Sequence, residues 1–209
     1  MTQEELKETL RLHALWLEDV DQGKKANLRS ANLRDADLYD VDLRDADLSC
    51  ANLRSANLRK ANLRGADLHK ANLRYADLWD ADLSSADLWD ADLRDADLRD
   101  ADLYDADLSS VNLRDANLRD ADLRKVNLRA TIGNMEEVKS LQLEGYAVTY
   151  TAESLQIGCE RHPINCWWDF CDETIAEMDT GALDWWRKWK EPLRQIIELS
   201  PATPPTEGD

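Results

Sequence analysis

A-N-L-R-S-A-N-L-R-D-A-D-L-Y-D-V-D-L-R-D, residues 26–45, sets a rhythm of five that runs on to Ala130. Leucine stands at Leu28, Leu33, Leu38 and every fifth position through Leu128, 21 times without a slip. Two residues before each leucine is Ala (18 times) or Val (Val41, Val111, Val126); directly before it is Asp (12) or Asn (9). Arg follows the leucine in 13 repeats. No straight element fits this period. On an α-helix five residues advance about 500°, so successive leucines drift around every side and leave no apolar stripe. On a straight strand an odd spacing throws them onto alternate faces. The chain must therefore turn once per repeat to keep every leucine inward.

Four near-right-angle turns close a coil of four repeats, and stacked coils bury one column of leucines and one of small residues. Asp and Asn suit the corners, because they hydrogen-bond nearby backbone and tolerate turn conformations. On these A-(D/N)-L-x-x units the sequence resembles the pentapeptide-repeat family from Ala26 to Ala130. The resemblance implies an all-β solenoid, a right-handed quadrilateral β-helix with Leu and Ala inward. At four repeats per coil it gives about five coils and, at ~4.8 Å per stacked strand, a shaft of about 25 Å. The expected organisation is an N-terminal capping helix over 1–25, the β-helix over 26–130, an α+β, largely helical Trp-rich module over 131–199, and a disordered tail over 200–209.

Positions four repeats apart should stack on one outer face. Arg34, Arg54, Arg74, Arg94 and Arg114 form a ladder that Asp35, Asp95 and Asp115 can neutralise. Tyr39, Arg59, Trp79, Arg99 and Arg119 form a second face, where arginine on rings gains cation–π energy. His69 lies beside Trp89 on a third, and Arg44, Arg64, Tyr104 and Arg124 share the fourth. An outward Trp is costly on a monomer, which makes Trp79 and Trp89 candidates for partner contact.

A solenoid leaves open edges at both ends and needs caps. Thr2 and Glu5 form a capping-box pattern, Leu6, Leu10, Ala14 and Leu17 share a helical face, and Gly23 suits the stop. After Ala130, Asn134 and Glu137 suggest a second capping box opening a short helix to about Leu143. Tyr146–Thr151 and Leu155–Ile157 can pair as a hairpin. Residues 172–179 and 182–199 read as helices, with Gly181 between them, Pro192 inside the second, and Trp186, Trp189, Leu193, Ile196 and Ile197 as its apolar face. Trp167, Trp168, Trp185, Trp186 and Trp189 crowd this block. Adjacent Trp185 and Trp186 are expected not to share one core, so these tryptophans are interface candidates, with homodimerisation through the block one outcome. The block also resembles C-terminal extensions of phage and prophage pentapeptide-repeat proteins.

Cys159, His162, Cys166 and Cys171 offer four soft ligands in one short stretch, a candidate structural zinc site. Their spacing is not that of a standard finger or ribbon, and free or packed thiols are the alternative. No nucleophile motif, phosphate loop or Gly-rich run points to catalysis or an organic cofactor. The chain opens with no signal-peptide pattern, so the reducing cytoplasm is the expected compartment.

The formal charge is −17, which disfavours direct binding to nucleic acid or anionic membrane. The shaft holds 22 Asp against 16 basic residues, a near balance, whereas residues 131–209 hold 15 acidic and 6 basic. The leading expectation is thus a non-enzymatic protein-interaction or scaffold module with a protein partner. The alternative is a DNA mimic, since the resemblance implies that some relatives bind type II topoisomerases such as gyrase. Those relatives tend to place Phe at central positions, where this chain has Leu at all 21.

Overall fold

The computed structural model describes residues 1–204. Its shaft is built from one local device repeated 21 times. The side-chain oxygen of the Asp or Asn before each leucine accepts the backbone N–H of the residue after it, at 2.8–3.3 Å. The leucine carbonyl then accepts the N–H of the next repeat's Ala or Val, as Leu28 does from Ala31 at 3.0 Å. The last residue of each repeat sits at left-handed φ, from Ser30 (55°) to Ala130 (56°). A hydrogen bond across four residues with positive φ at the third is the pattern of a type II turn. Among these corner residues only Gly65 is a glycine. The rest each carry a left-handed cost of ~1–2 kcal/mol, which Asp feels least because its short polar side chain bonds locally.

These corners bring residues four repeats apart into parallel register, with bridges from Asn27↔Asp47 to Asn112↔Ile132. The ladder alternates, with Leu28 N–H donating to Asp47 C=O at 2.6 Å and Asp47 N–H to Ala26 C=O at 3.0 Å. Twenty of the 21 leucines are no more than 3% exposed, and the last-coil Leu123 is partly buried.

Helix α1 (Gln3–Glu18) carries the expected capping box, Thr2 with Glu5. Leu6 and Leu10 pack on the leucine column, but the third inward residue is His13 rather than Ala14, which faces solvent. The buried His13 Nδ1 accepts the Ala26 N–H at 3.1 Å, satisfying the first donor of the shaft. Gly23 does not end the helix in left-handed geometry. Its need is close approach: a Cβ there would lie 2.1 Å from the Trp16 nitrogen.

Beyond the shaft the chain forms a four-stranded antiparallel meander, β1 (Lys139–Leu143), β2 (Tyr146–Tyr150), β3 (Ser154–Ile157) and β4 (Glu160–Pro163), in that order. It is followed by α2 (Ile164–Asp169), α3 (Asp172–Met178) and α4 (Ala182–Leu199). The expected helix after Asn134 is therefore a strand. Asn134 does not open a helix; its Oδ1 accepts from Glu136 and Val138, and its Nδ2 donates to Ala116 C=O. Glu144 (φ 41°) and Gly145 (φ 95°) make the two-residue turn joining β1 to β2, with both central residues left-handed as type I′ requires. The β2–β3 hairpin is as expected, and β4 adds a fourth strand beside β3. Helix α4 runs through Pro192.

This module closes the far end of the shaft. Buried Gln156 accepts the Leu128 N–H at 2.7 Å and donates to Asn127 Oδ1 at 3.1 Å, so one side chain occupies the ladder position that a further coil would fill. The expected disordered tail is corrected over residues 200–204: Tyr150 OH donates to Ser200 C=O, Thr203 N–H donates to Glu136 C=O, and Ala202 is buried. Residues 205–209 lie outside the described residues.

Two outcomes follow. Leu78→Ala, in a central coil, should destabilise the protein by about 2–5 kcal/mol in urea unfolding, because its neighbours are locked in register and cannot collapse into the cavity. Burial holds the His13 imidazole below its ordinary value of 6.5, against the opposing pull of Asp42 and Asp45. A depressed histidine stabilises fully above its unfolded pKa and loses that contribution as pH falls from there through its lower folded-state pKa. The melting temperature should thus drop between about pH 7 and about pH 5.5, above the ordinary carboxylate range, and His13→Gln should flatten that drop.

Candidate interaction surfaces

The outer lattice follows from the four-repeat register. On the first face Arg54 and Arg74 each lie 5.2 Å from the Tyr75 ring centre, and Arg74 reaches Asp95 at 3.8 Å. Arg34 pairs with Asp35 as expected, but Arg94 pairs with Asp92, the turn aspartate of its own repeat. The same local fork joins Arg44 to Asp42, Arg99 to Asp97 and Arg124 to Asp122. Hydrogen bonds from Arg99 and Arg124 hold the Asp97 and Asp122 carboxyls below their ordinary range, more than offsetting partial burial. One aspartate thus serves both corner and counter-ion, a double use that counting charges along the sequence does not reveal.

Trp79 is tied down: Arg59 lies 4.4 Å over its ring, and its Nε1 donates to Asp100 at 2.7 Å. Trp89 is freer. It is 42% exposed, stacked on His69 at 6.0 Å with Lys70 4.7 Å from its ring centre.

The near balance of shaft charge hides a banding along the axis. Residues 50–74 contain six basic side chains and one Asp, whereas residues 77–107 contain twelve Asp and two Arg. Contacts across the seam, Arg59–Asp77 at 3.7 Å, Lys60–Asp80 at 4.0 Å and Arg74–Asp95, spend part of the basic band on the acidic one. Among the described residues Asp82, Asp87, Asp90 and Asp107 have no basic partner within ion-pair distance. Asp87 and Asp90 flank Trp89 in sequence while Lys70 and His69 lie against its ring, so the exposed ring sits at the seam where the acidic band begins. This pattern is present in the sequence but is lost when charge is summed over the whole shaft.

In the C-terminal module the tryptophans are mostly core. Trp185 and Trp186 are only 8% and 3% exposed and belong to one cluster with Trp167, Val148, Leu155 and Leu193. The expectation that adjacent tryptophans cannot share a core is overturned, because α4 lies in a trough with apolar walls on both flanks. Trp185 packs at 5.1 Å on Tyr146 and donates to Leu143 C=O, while Trp186 packs on Trp167 at 5.5 Å and stacks on Trp168. Only Trp168 and Trp189 are half-buried, the latter bound through Nε1 to Glu144.

The proposed zinc ligands do not converge; among the described residues no three His, Cys, Asp or Glu are grouped to hold a metal ion. The strand and helix separate them. His162, on β4, packs edge-on against Trp167 and Phe170; Cys159 and Cys171 are exposed, Cys171 beside Thr174 Oγ1; Cys166 lies on α2. All four cysteines, Cys50 included, are free thiols. No described helix is long and apolar enough to cross a membrane.

Comparison with known proteins agrees with this architecture. The family model described as Pentapeptide repeats matches in 8 copies, over residues 26–65, 51–90, 61–100 and 91–129. The chain belongs to the pentapeptide-repeat family. The crystal structure of the pentapeptide repeat protein Rfr23 from the cyanobacterium Cyanothece 51142 is 28% identical, with a TM-score of 0.52 over 59% of this chain and 99% of that one. That of alr5209, a pentapeptide repeat protein from Nostoc Pcc 7120, is 38% identical over 55% of this chain and 93% of that one, with a TM-score of 0.24. QnrB1, a plasmid-mediated fluoroquinolone resistance protein, is 19% identical over 53% of this chain and 72% of that one; its TM-score of 0.30 carries no functional argument. No curated protein matches the chain.

The two sets of tryptophans should separate by stability. Trp185→Ala should cost about 3–5 kcal/mol through the cavity it leaves. Trp89→Ala should cost no more than about 1 kcal/mol, the size of an exposed cation–π contact. Urea titration of the two variants checks both.

Proposed function

We propose that this protein is a non-enzymatic interaction module. In this reading a right-handed quadrilateral β-helix of about five coils, closed by α1 at one end and by the 131–199 module at the other, presents a fixed lattice of side chains to a protein partner. The observation that carries it is exposed Trp89, held at a set angle by His69 and Lys70 and flanked by Asp87 and Asp90. An aromatic anchor at the edge of an acidic band fits a partner surface with an apolar pocket and a basic rim on that side. Rigidity helps, because side chains already immobilised lose little freedom on association.

The test uses full-length protein. Affinity capture with the wild type and with a Trp89→Ala/Asp87→Asn/Asp90→Asn variant of equal melting temperature should differ. Specific partners should be lost from the variant, and wild-type capture should weaken as salt is raised. Identical capture by both would overturn the assignment to this face. Homodimerisation through the C-terminal block rests on Trp168 and Trp189 alone, since the other tryptophans there are buried, and sedimentation of the wild type against Trp168→Ala/Trp189→Ala tests it.

A second reading, mimicry of DNA toward a type II topoisomerase such as gyrase, is favoured by the twelve aspartates of residues 77–107. The basic band at 50–74 counts against it, because a groove built for phosphate repels that stretch. Absence of any effect on gyrase supercoiling at micromolar protein excludes it.

A further inference from the structure

The C-terminal module contains a cavity of about 230 Å³ that the shaft surface does not use. Tyr146, Trp167, Trp185 and Trp186 wall it, and the smaller apolar residues of the lining include Ile157, Ile175 and Met178. Two of the indole N–H groups are committed elsewhere: Trp167 Nε1 donates to Leu155 C=O at 2.7 Å and Trp185 Nε1 to Leu143 C=O at 2.9 Å. Those bonds fix two of the rings to the sheet. The rings meet at a tilt, Tyr146 with Trp185 at 53° and Trp167 with Trp186 at 45°, so neither pair closes face to face.

The polar groups of the cavity lie among its lining too. They belong to Glu160, Asp179 and Cys159 and to Arg129 from the last repeat, with His162 Nε2 3.6 Å from the Glu160 carboxylate. Asp179 Oδ2 accepts the Tyr146 hydroxyl at 2.8 Å, which ties one carboxylate to an aromatic wall. Gly145, also in the lining, has open space where a side chain would begin, with no atom within 4 Å of a Cβ built there.

Aromatic faces attract cations, and the effect grows when the cation is partly withdrawn from water. Two carboxylates against one guanidinium give the cavity a net negative lining, within a segment (residues 131–209) of 15 acidic and 6 basic residues. A dry cavity of ~150 Å³ accepts benzene, so this larger one has room for a bicyclic ring with a short arm. We propose that this cavity is a binding site for an organic ammonium ion of the arylalkylamine class, its ring among Tyr146, Trp167, Trp185 and Trp186 and its ammonium group at Glu160 and Asp179. The site is independent of the shaft surface, and neither proposal requires the other.

Calorimetric titration of the full-length protein with tryptamine tests it, with indole-3-acetate as the same ring bearing the opposite charge. Tryptamine should bind with a sub-millimolar Kd, and indole-3-acetate at least tenfold more weakly. Glu160→Gln/Asp179→Asn, which keeps an acceptor for the Tyr146 hydroxyl, should weaken tryptamine at least tenfold and erase the preference. Met178→Trp, which fills the cavity, should abolish binding. Should that variant fail to fold, the carboxylate variant, altered only near the surface, still decides. No heat from tryptamine at millimolar concentration overturns the proposal. So does indole-3-acetate binding as tightly as the amine, which would give the site to Arg129, or tryptamine binding unchanged in the carboxylate variant.

Discussion

Everything in the shaft depends on the hydrogen bond from a backbone N–H to the side-chain oxygen of the Asp or Asn two residues earlier. It bends the chain beside each leucine and makes a left-handed residue tolerable at the next position. A corner recurring at every repeat leaves the leucine only one direction to point. The ladder between coils, the leucine column and the outer lattice are consequences of that corner. The leucines supply the driving force, since each removes a full apolar side chain from water, but leucines at this spacing without the corner would have no shared face to bury.

The two ends show what the repeat cannot do for itself. A ladder in which every coil bonds the next has no natural first or last member, and its terminal groups would be unpaired and partly dry. The chain resolves this with single buried polar side chains from outside the repeat, His13 on α1 and Gln156 on β3. Each takes a backbone N–H that would otherwise lack a partner. Neither residue is legible in the sequence as a plug. A lone histidine among leucines and a glutamine in a short strand have no local signature, because their partners, Ala26 and Leu128, lie far along the chain.

The shaft is legible because its information is local and repeated: period, inward column and corner chemistry all sit within a single repeat. The Trp-rich module is less so for the opposite reason. Asn134 with Glu137 satisfies a capping pattern, yet the side chain folds back on Ala116 and the segment enters a sheet, a choice made by contacts across the chain. The Glu144–Gly145 turn is the available signal for β1, and a capping pattern upstream masks it. Trp185 and Trp186 illustrate a different failure. The rule that neighbours on a helix face apart holds, but it does not bar both from burial when the helix lies in a trough. Of the surface features, Trp89 stands out in the sequence, whereas the acidic band beside it emerges only once the charges are read coil by coil.

A coil with four corners also acts as an angular scale. Adding or deleting one repeat within 26–130 leaves the corner chemistry intact but turns everything after it by a quarter revolution about the shaft, shifting it along the axis by a fraction of a coil. Adding four repeats restores the original azimuth and changes only the distance. Gain or loss of single repeats therefore re-aims the C-terminal module relative to Trp89 without altering a residue of either, much as a dial moves by clicks. The count of repeats is thus what sets the angle between Trp89 and the C-terminal module.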